Sequence, residues 1–376
     1  MQIVGIICEY NPLHLGHRKQ IRQIRTILGD DTAIVCLMSG NFVQRGAPAI
    51  FDKSLRAQAA IQAGADLVLE LPITYALSSA EGFAAGGVKI LGDFCDHLCF
   101  GCETGEEKSL MDTARTLLSV DFSAKLRIEL DRGLSFPAAR QAALGQMGAL
   151  LRNPNDILAV EYCKAILAQN SPMRPLPIRR EGCYHDTAPD PENPSATAIR
   201  ELALRGQSWE TYVPDASLYA GAVPHFLNAG EKAILYRLRT MTDEDFEALP
   251  YGSEGLWRKL MHASRSQATL EDIIASTKSK RYTRTRIDRM ILCAALGISR
   301  EKLEFPAPYT RVLALNDIGR AVLKKARKTG NFPNIGERID DPYQDLERRA
   351  DDLYALFTAQ PEPPGQTADR RVFYTR

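Results

Sequence analysis

Short apolar runs alternate with stretches of helical spacing along the first hundred residues. Residues 2–8 and 33–38 are mostly apolar, 66–71 and 97–101 read as two further short strands, and the first run is rich in β-branched side chains. Such runs are expected of strands buried on both faces of a parallel sheet. Between them, residues 15–28, 52–63 and 78–91 carry apolar positions every three or four residues. The second of these opens on Asp52 and closes at Gly64, and the third opens on Ser78-Ser79 with Glu81. These are ordinary start and stop signals for helices. The alternation predicts an α/β fold with a doubly wound, Rossmann-like parallel sheet and helices on both faces.

The pattern then changes. Residues 107–170 read as mainly helical, with breaks at Pro137 and Asn153-Pro154, and Leu176 to Arg180 reads as a fifth strand. Residues 185–195 (HDTAPDPENPS) are loop. Helical runs follow at 228–239, 254–263, 269–276, 284–296 and 343–357. A boundary near residue 205 would separate an α/β domain, 1–204, from a mainly helical domain, 205–376. The stretch 359–368 (AQPEPPGQTA) reads as flexible.

Composition narrows the class. The 376 residues are 45% hydrophobic and 25% charged, with a formal net charge of +1, so bulk charge points to no partner. No stretch reaches the ~18 apolar residues of a membrane span. MQIVGIICEY lacks a basic leader region and reads as a strand. Of eight cysteines, Cys8, Cys36, Cys163 and Cys293 sit in apolar runs, which fits reduced thiols and a cytoplasmic setting. Cys95, Cys99 and Cys102 with His97 could suggest a metal site. Strand alternation keeps Cys99 and Cys102 from converging with Cys95, and no metal site is expected.

Two segments carry chemistry on their own. In GIICEYNPLHLGHRKQI, residues 5–21, a strand ends in a turn and a helix begins at His14-Leu15-Gly16-His17. A helix start offers free N–H groups and a positive dipole end to an anion. Histidines there can stabilise the charge of departing pyrophosphate, and Gly16 would let a base or ribose approach closely. In PSATAIR, Ser195 and Thr197 could cap a helix, with Arg200 one turn in as a phosphate-binding cation. Each segment could instead be an ordinary helix start. In KSKRYTRTRIDR, residues 278–289, six of twelve side chains are Lys or Arg. Lys278, Lys280, Arg281, Arg284 and Arg286 could meet RNA phosphates while Tyr282 stacks on a base. A second basic run is KKARK, 324–328.

NPLHLGH resembles the H-x-G-H signature of the HIGH-type nucleotidyltransferases, and PSATAIR resembles their S-x-T-x-x-R motif. With SGNFVQRGAPAIFDKSLRAQAAIQAGADLVLELP, FGCE, NPNDILAVEY, GCYHD and TKSKRYTRTRIDR, the chain resembles the bacterial tRNA(Met) cytidine acetate ligases over residues 5–289. The resemblance implies an ATP-dependent ligase that makes acetyl adenylate and acetylates N4 of the wobble cytidine of elongator tRNA(Met). It implies ATP held by Ile7, Cys8, Glu9, Tyr10, Asn11, Pro12, Leu13, His14, Leu15, Gly16, His17, Arg18, Lys19 and Gln20. Gly101, Asn153 and one or both of Arg179 and Arg180 would join them, and Mg²⁺ is expected as a phosphate partner. Two other readings stand beside it: an adenylyltransferase acting on a small coenzyme precursor, and a non-catalytic RNA-binding protein with a relict nucleotide pocket. The sequence leaves the oligomeric state and the acetate pocket open.

Overall fold

The structure, a computed structural model, describes residues 1–104, 106–179, 190 and 193–376. Strand β1 (Ile3–Cys8) is followed by α1 (Leu15–Leu28), β2 (Ala33–Ser39), and a small hairpin of β3 (Phe42–Val43) and β4 (Ala47–Pro48). Then come α2 (Lys53–Gln62), β5 (Leu67–Leu71), α3 (Ile73–Ala76), α4 (Ala80–Leu91) and β6 (His97–Cys102). The helical stretch holds α5 (Glu107–Leu117), α6 (Val120–Asp131), α7 (Phe136–Leu144) and α8 (Pro154–Ala168), and leads to β7 (Arg174–Arg179) and α9 (Ala196–Leu204). Pro137 and Pro154 stand in the first turns of α7 and α8. Pro137 therefore starts a helix, where its missing N–H costs nothing, and does not break one.

The later chain holds α10 (Glu231–Thr240), α11 (Asp243–Glu247), α12 (Leu256–Ser266), α13 (Leu270–Thr277), α14 (Arg284–Leu296) and α15 (Arg300–Glu304). It ends with β8 (Val312–Leu315), α16 (Asp317–Ala326), α17 (Pro342–Tyr354) and β9 (Phe373–Tyr374). The stretch expected to be mainly helical thus also returns two strands to the sheet. The four apolar residues of β8 lie between helical runs and show no period of their own.

The sheet order is β7-β6-β1-β2-β5-β8-β9. Strands β1, β2, β5, β6 and β7 run parallel, and β8 joins β5 antiparallel. The chain steps from β1 outward through β2 to β5, then crosses back to β6 on the other side of β1. That reversal between β1 and β6 is the switch point where doubly wound sheets bind ligands. One face packs Ile7, Val35 and Leu69 against α4 and α8. The other packs Ile6, Ile34 and Cys36 against Ile21 and Ile24 of α1 and Ala57 and Ala60 of α2. Helices α10, α12, α13, α14 and α17 share a third core around Phe246, Leu260, Ile287 and Phe357. Cys99 faces the α1 side of the sheet, and Cys95 and Cys102 the other.

A buried ion cluster joins the two halves of the chain. Lys53, at the start of α2, donates to Glu70 Oε1 and to Asp351 Oδ2 on α17, both at 3.0 Å. The ammonium is buried and stays charged, because the carboxylates of Asp351 and Glu70 outweigh its desolvation. Burial pushes the Glu70 carboxyl up to about 7, against the pull of Lys53.

Removing one partner of a buried pair strands the other charge. Lys53→Met should therefore cost roughly 3–5 kcal/mol of stability in urea unfolding. The raised Glu70 carboxyl sets a second expectation. The folded state keeps a proton that the unfolded chain releases, so this group's contribution falls as pH rises. Between about pH 5 and about pH 8 the wild type should lose stability relative to Glu70→Gln. A constant difference across that range would rule out the buried proton.

Candidate active site

The turn after β1 is held from three directions. Arg56 on α2 is fully buried. Its guanidinium donates to the carbonyls of Glu9 (2.7 Å), Ser39 (3.1 Å), Phe51 (2.7 Å) and Gly40. Asn11 Oδ1 accepts the Ile50 amide at 2.7 Å. Glu9 Oε1 accepts the Gln44 amide at 2.8 Å, which ties the β3–β4 hairpin to the end of β1. Tyr10 sits at φ 45° and buries its ring, with its hydroxyl 3.4 Å from Cys36 Sγ.

His14 is the N-cap of α1 and is buried; His17 is half-buried. Their rings stack with centroids 3.7 Å apart, and Tyr10 meets the His17 ring edge-on at 4.9 Å. The His14 amide donates to His17 Nδ1 at 3.2 Å. In the neutral ring an accepting Nδ1 puts the proton on Nε2. The sequence reading gave Gly16 to an approaching base or ribose. A Cβ there would lie 3.1 Å from His14 Cε1, so the glycine also makes room for the cap histidine.

Arg200 reaches the same turn. It donates to the Asn11 carbonyl at 2.7 Å and to Thr197 Oγ1 at 3.1 Å. Ser195 caps α9, its Oγ accepting the Ala198 amide at 3.1 Å. Of the two expected caps only Ser195 caps; Thr197 holds the arginine. Gly101 stands on β6 beyond the last pair that β6 makes with β1, Ile6 with Cys99, as Cys8 does on β1. Asn153 is the N-cap of α8, with its side-chain amide on Asp156 Oδ2 at 3.2 Å. Buried Asp156 accepts the Glu103 and Thr104 amides at 2.9 and 3.2 Å, and Glu103 Oε2 accepts the Asp156 amide at 2.8 Å. This reciprocal knot ties the loop after β6 to the start of α8, and so fixes Gly101 relative to Asn153. Arg179 ends β7 and is exposed; Arg180 and His185 lie outside the described residues.

The remaining residues of the segment have varied places. Ile7 and Leu13 are buried in the cores on opposite faces. Gln20 Nε2 lies 3.6 Å from Cys99 Sγ. Leu15 and Arg18 are half-buried, and Lys19 is exposed. Arg56, Glu103 and Asp156 escaped the sequence reading. A single arginine on an alanine-rich helix is the one signal that could have flagged Arg56, and nothing local marks it as buried.

The basic stretch differs more from its expectation. Tyr282 is buried, its hydroxyl donating to the Glu254 carbonyl at 2.6 Å, so it belongs to the helical core and not to a stacking surface. Arg281 pairs with Glu254 at 3.0 Å. Arg284 pairs with Asp288 and Glu271 at 2.9 and 2.8 Å. Arg286 donates to the Tyr251 carbonyl and Ser253 Oγ. Lys278 and Lys280 remain exposed on the loop before α14. That helix touches the hairpin: a Cβ on Gly46 would lie 2.5 Å from the Arg289 amide, and Arg289 donates to the Gln44 carbonyl at 3.3 Å.

Known proteins share this arrangement. The family model described as HIGH Nucleotidyl Transferase matches residues 1–369. A tRNA(Met) cytidine acetate ligase of Acetivibrio thermocellus is 35% identical, covering 96% of both chains. The crystal structure of Thermotoga maritima TmcAL in its apo form I superposes with a TM-score of 0.89 at 30% identity, over all of both chains. Its form II, bound with alpha-thio ATP, superposes at 0.87. With these matches spanning nearly the whole chain, the protein belongs to the HIGH nucleotidyl transferases and, among them, to the tRNA(Met) cytidine acetate ligase family.

Proposed function

We propose that this protein activates acetate with ATP and transfers the acetyl group to N4 of the wobble cytidine of elongator tRNA(Met). The observation that carries the reading is the stacked His14–His17 pair capping α1 at the switch point, with Arg200 drawn onto the same turn. A helix start and two imidazoles there can meet phosphate oxygens, and His17 Nε2–H supplies a donor to charge that grows as a phosphate bond breaks.

In the first step an acetate oxygen attacks the α-phosphorus of ATP, and the bond to the bridging oxygen breaks with loss of pyrophosphate. In the second, cytidine N4 attacks the acyl carbon, AMP leaves with the electron pair, and N4 sheds a proton. Neither step needs a covalent enzyme intermediate; positioning and charge stabilisation supply the catalysis. In this reading the backbone at Gly101 and the side chains of Asn153 and Arg179 serve the adenosine. Among the described residues no group of three or more His, Cys, Asp or Glu is set to hold a metal ion. Mg²⁺ enters this reading only as the counter-ion that the nucleotide's phosphates carry. The ATP chemistry is assigned to residues 1–204 and RNA binding to residues 205–376, through Lys278, Lys280 and Arg281 on the loop before α14. No helix among the described residues is long and apolar enough to cross a membrane.

Acetate-dependent pyrophosphate release reports the first step directly. His17→Ala should slow it by roughly 100-fold, the scale of losing one donor to developing charge; a rate near wild type would refute the role of the pair. Arg200→Ala should weaken ATP binding far more than AMP binding in calorimetric titrations, because its partners lie at the phosphate end; equal losses would reduce it to a turn-holding residue. Replacing both Lys278 and Lys280 by Gln should weaken tRNA binding and flatten the slope of log K against log salt by roughly 0.7–0.9 for each phosphate no longer neutralised. Pyrophosphate release without tRNA should not change in that double variant.

A further inference from the structure

The first turn of α12 borders the basic loop before α14. Lys259 donates to the Lys278 carbonyl at 3.3 Å, and Arg281 reaches back to Glu254, just ahead of α12, at 3.0 Å. Arg258, Lys259, Lys278 and Lys280 gather at this corner. Lys259 is half-buried and the other three are exposed. Among the described residues none of the four pairs with a carboxylate. Glu254 stands at the same corner, but Arg281 and Arg286 already share it, at 3.0 and 3.8 Å. The whole chain has a net charge of only +1, so this is a local excess and not a share of bulk charge. It fits a polyanion.

A stacking surface stands among these cations. Trp257 is half-buried and packs on the helical core. The Arg258 guanidinium lies over its ring, 4.9 Å from the centroid. Gly252 leaves room for the tryptophan: a Cβ there would lie 2.9 Å from Trp257 Cβ. The indole backs one side of the guanidinium, and Arg258 is itself exposed. A guanidinium plane carries an unpaired base as an aromatic ring does. Bases inside a duplex are stacked on each other and offer no free face.

The corner lies near the turn that carries the histidines. Arg289 of α14 donates to the Gln44 carbonyl of the hairpin, and the Gln44 amide is held by Glu9. Arg284, where α14 begins, is about 8 Å from Arg289 along the helix. Tyr251, ahead of α12, donates its hydroxyl to the Leu77 carbonyl at 2.8 Å. The other basic run, 324–328, lies at the opposite end of the sheet, where Lys325 donates to the Phe94 carbonyl ahead of β6.

We propose that the first turn of α12 and the loop before α14 together hold an unpaired nucleotide of the tRNA. Its base lies on the Arg258–Trp257 stack, and the flanking phosphates meet Lys259, Lys278 and Lys280. The assignment rests on the ligase function above, and it supplies the stacking surface that buried Tyr282 does not.

The test uses the full-length protein with an anticodon stem-loop, and a fully paired RNA of the same length beside it. Arg258→Lys keeps the charge and loses the plane. It should weaken stem-loop binding on filters by roughly tenfold, the scale of one base stack, with the slope of log K against log salt unchanged. Arg258 is exposed, so this variant should melt with the wild type. Lys259→Gln should flatten the salt slope by roughly 0.7–0.9. Lys324→Gln combined with Lys328→Gln removes two charges far from the corner and should leave stem-loop affinity nearly unchanged at physiological salt. The chain has two tryptophans, so Trp209→Phe leaves Trp257 as the remaining indole. Its fluorescence should fall when the stem-loop is added, and not with the paired RNA. Unchanged affinity in Arg258→Lys would overturn the site. So would a loss in the Lys324/Lys328 variant as large as that in Lys259→Gln. An equal fluorescence response to paired RNA would overturn the assignment to an unpaired nucleotide. Absence of acetate-dependent pyrophosphate release in the wild type would remove the ligase reading, and these binding results would still decide the surface.

Discussion

The geometry of the site depends on one buried cation. Arg56 cannot shed its charge at any working pH, and a guanidinium in the protein interior is tolerated only with its N–H groups satisfied. It finds no carboxylate. Its partners are the main-chain carbonyls of Glu9, Ser39, Gly40 and Phe51, at the ends of β1 and β2 and in the loop ahead of α2. Those of Glu9, Gly40 and Phe51 belong to irregular backbone outside the sheet, and that of Ser39 to the last residue of β2. One side chain thus converts three chain ends into a single rigid rim. The turn that carries Tyr10, Asn11 and the histidine pair is suspended from that rim, and Arg200 closes it from the opposite side.

A second constraint runs between the halves of the chain. The β3–β4 hairpin touches the Glu9 carboxylate at one end and the backbone of α14 at the other. Lys53 sits beneath it between β5 and α17. The turn after β1 and the helix that follows the exposed lysines are therefore separated by one short, tightly packed element. In the proposed two-step reaction this is the shortest physical route between bound RNA and the place where the acyl group is made.

Much of this was legible from residue pattern, and the misses share a physical cause. Helix α1 and the parallel strands were readable because burial on one or two faces imposes a period on the sequence. The hairpin at 42–48 is too short to show a period, and β8 is a four-residue run among helices. Tyr282 looked like a stacking residue because basic neighbours surround it; α14 turns it inward while Glu254, Glu271 and Asp288 neutralise the arginines. Asp288 lies within the segment itself, but Glu254 and Glu271 lie 27 and 13 residues from Arg281 and Arg284, beyond what local composition reveals. The histidine pair at the start of α1 was readable from spacing, but its stacking was not: the His14 ring folds back onto its own helix, a packing that no residue spacing announces.

Strand β8 gives the chain a particular assembly order. Its partner β5 is complete by residue 71, yet β8 is made roughly 240 residues later, about 12–50 s at ribosomal speeds of ~5–20 residues per second. During that interval the β5 edge of a growing, largely apolar sheet has no neighbour. An open edge of that kind invites pairing with other chains. The edge keeps its backbone N–H and C=O groups unpaired through most of the chain's synthesis. Truncation upstream of residue 312 would leave the β5 edge of the sheet without its partner.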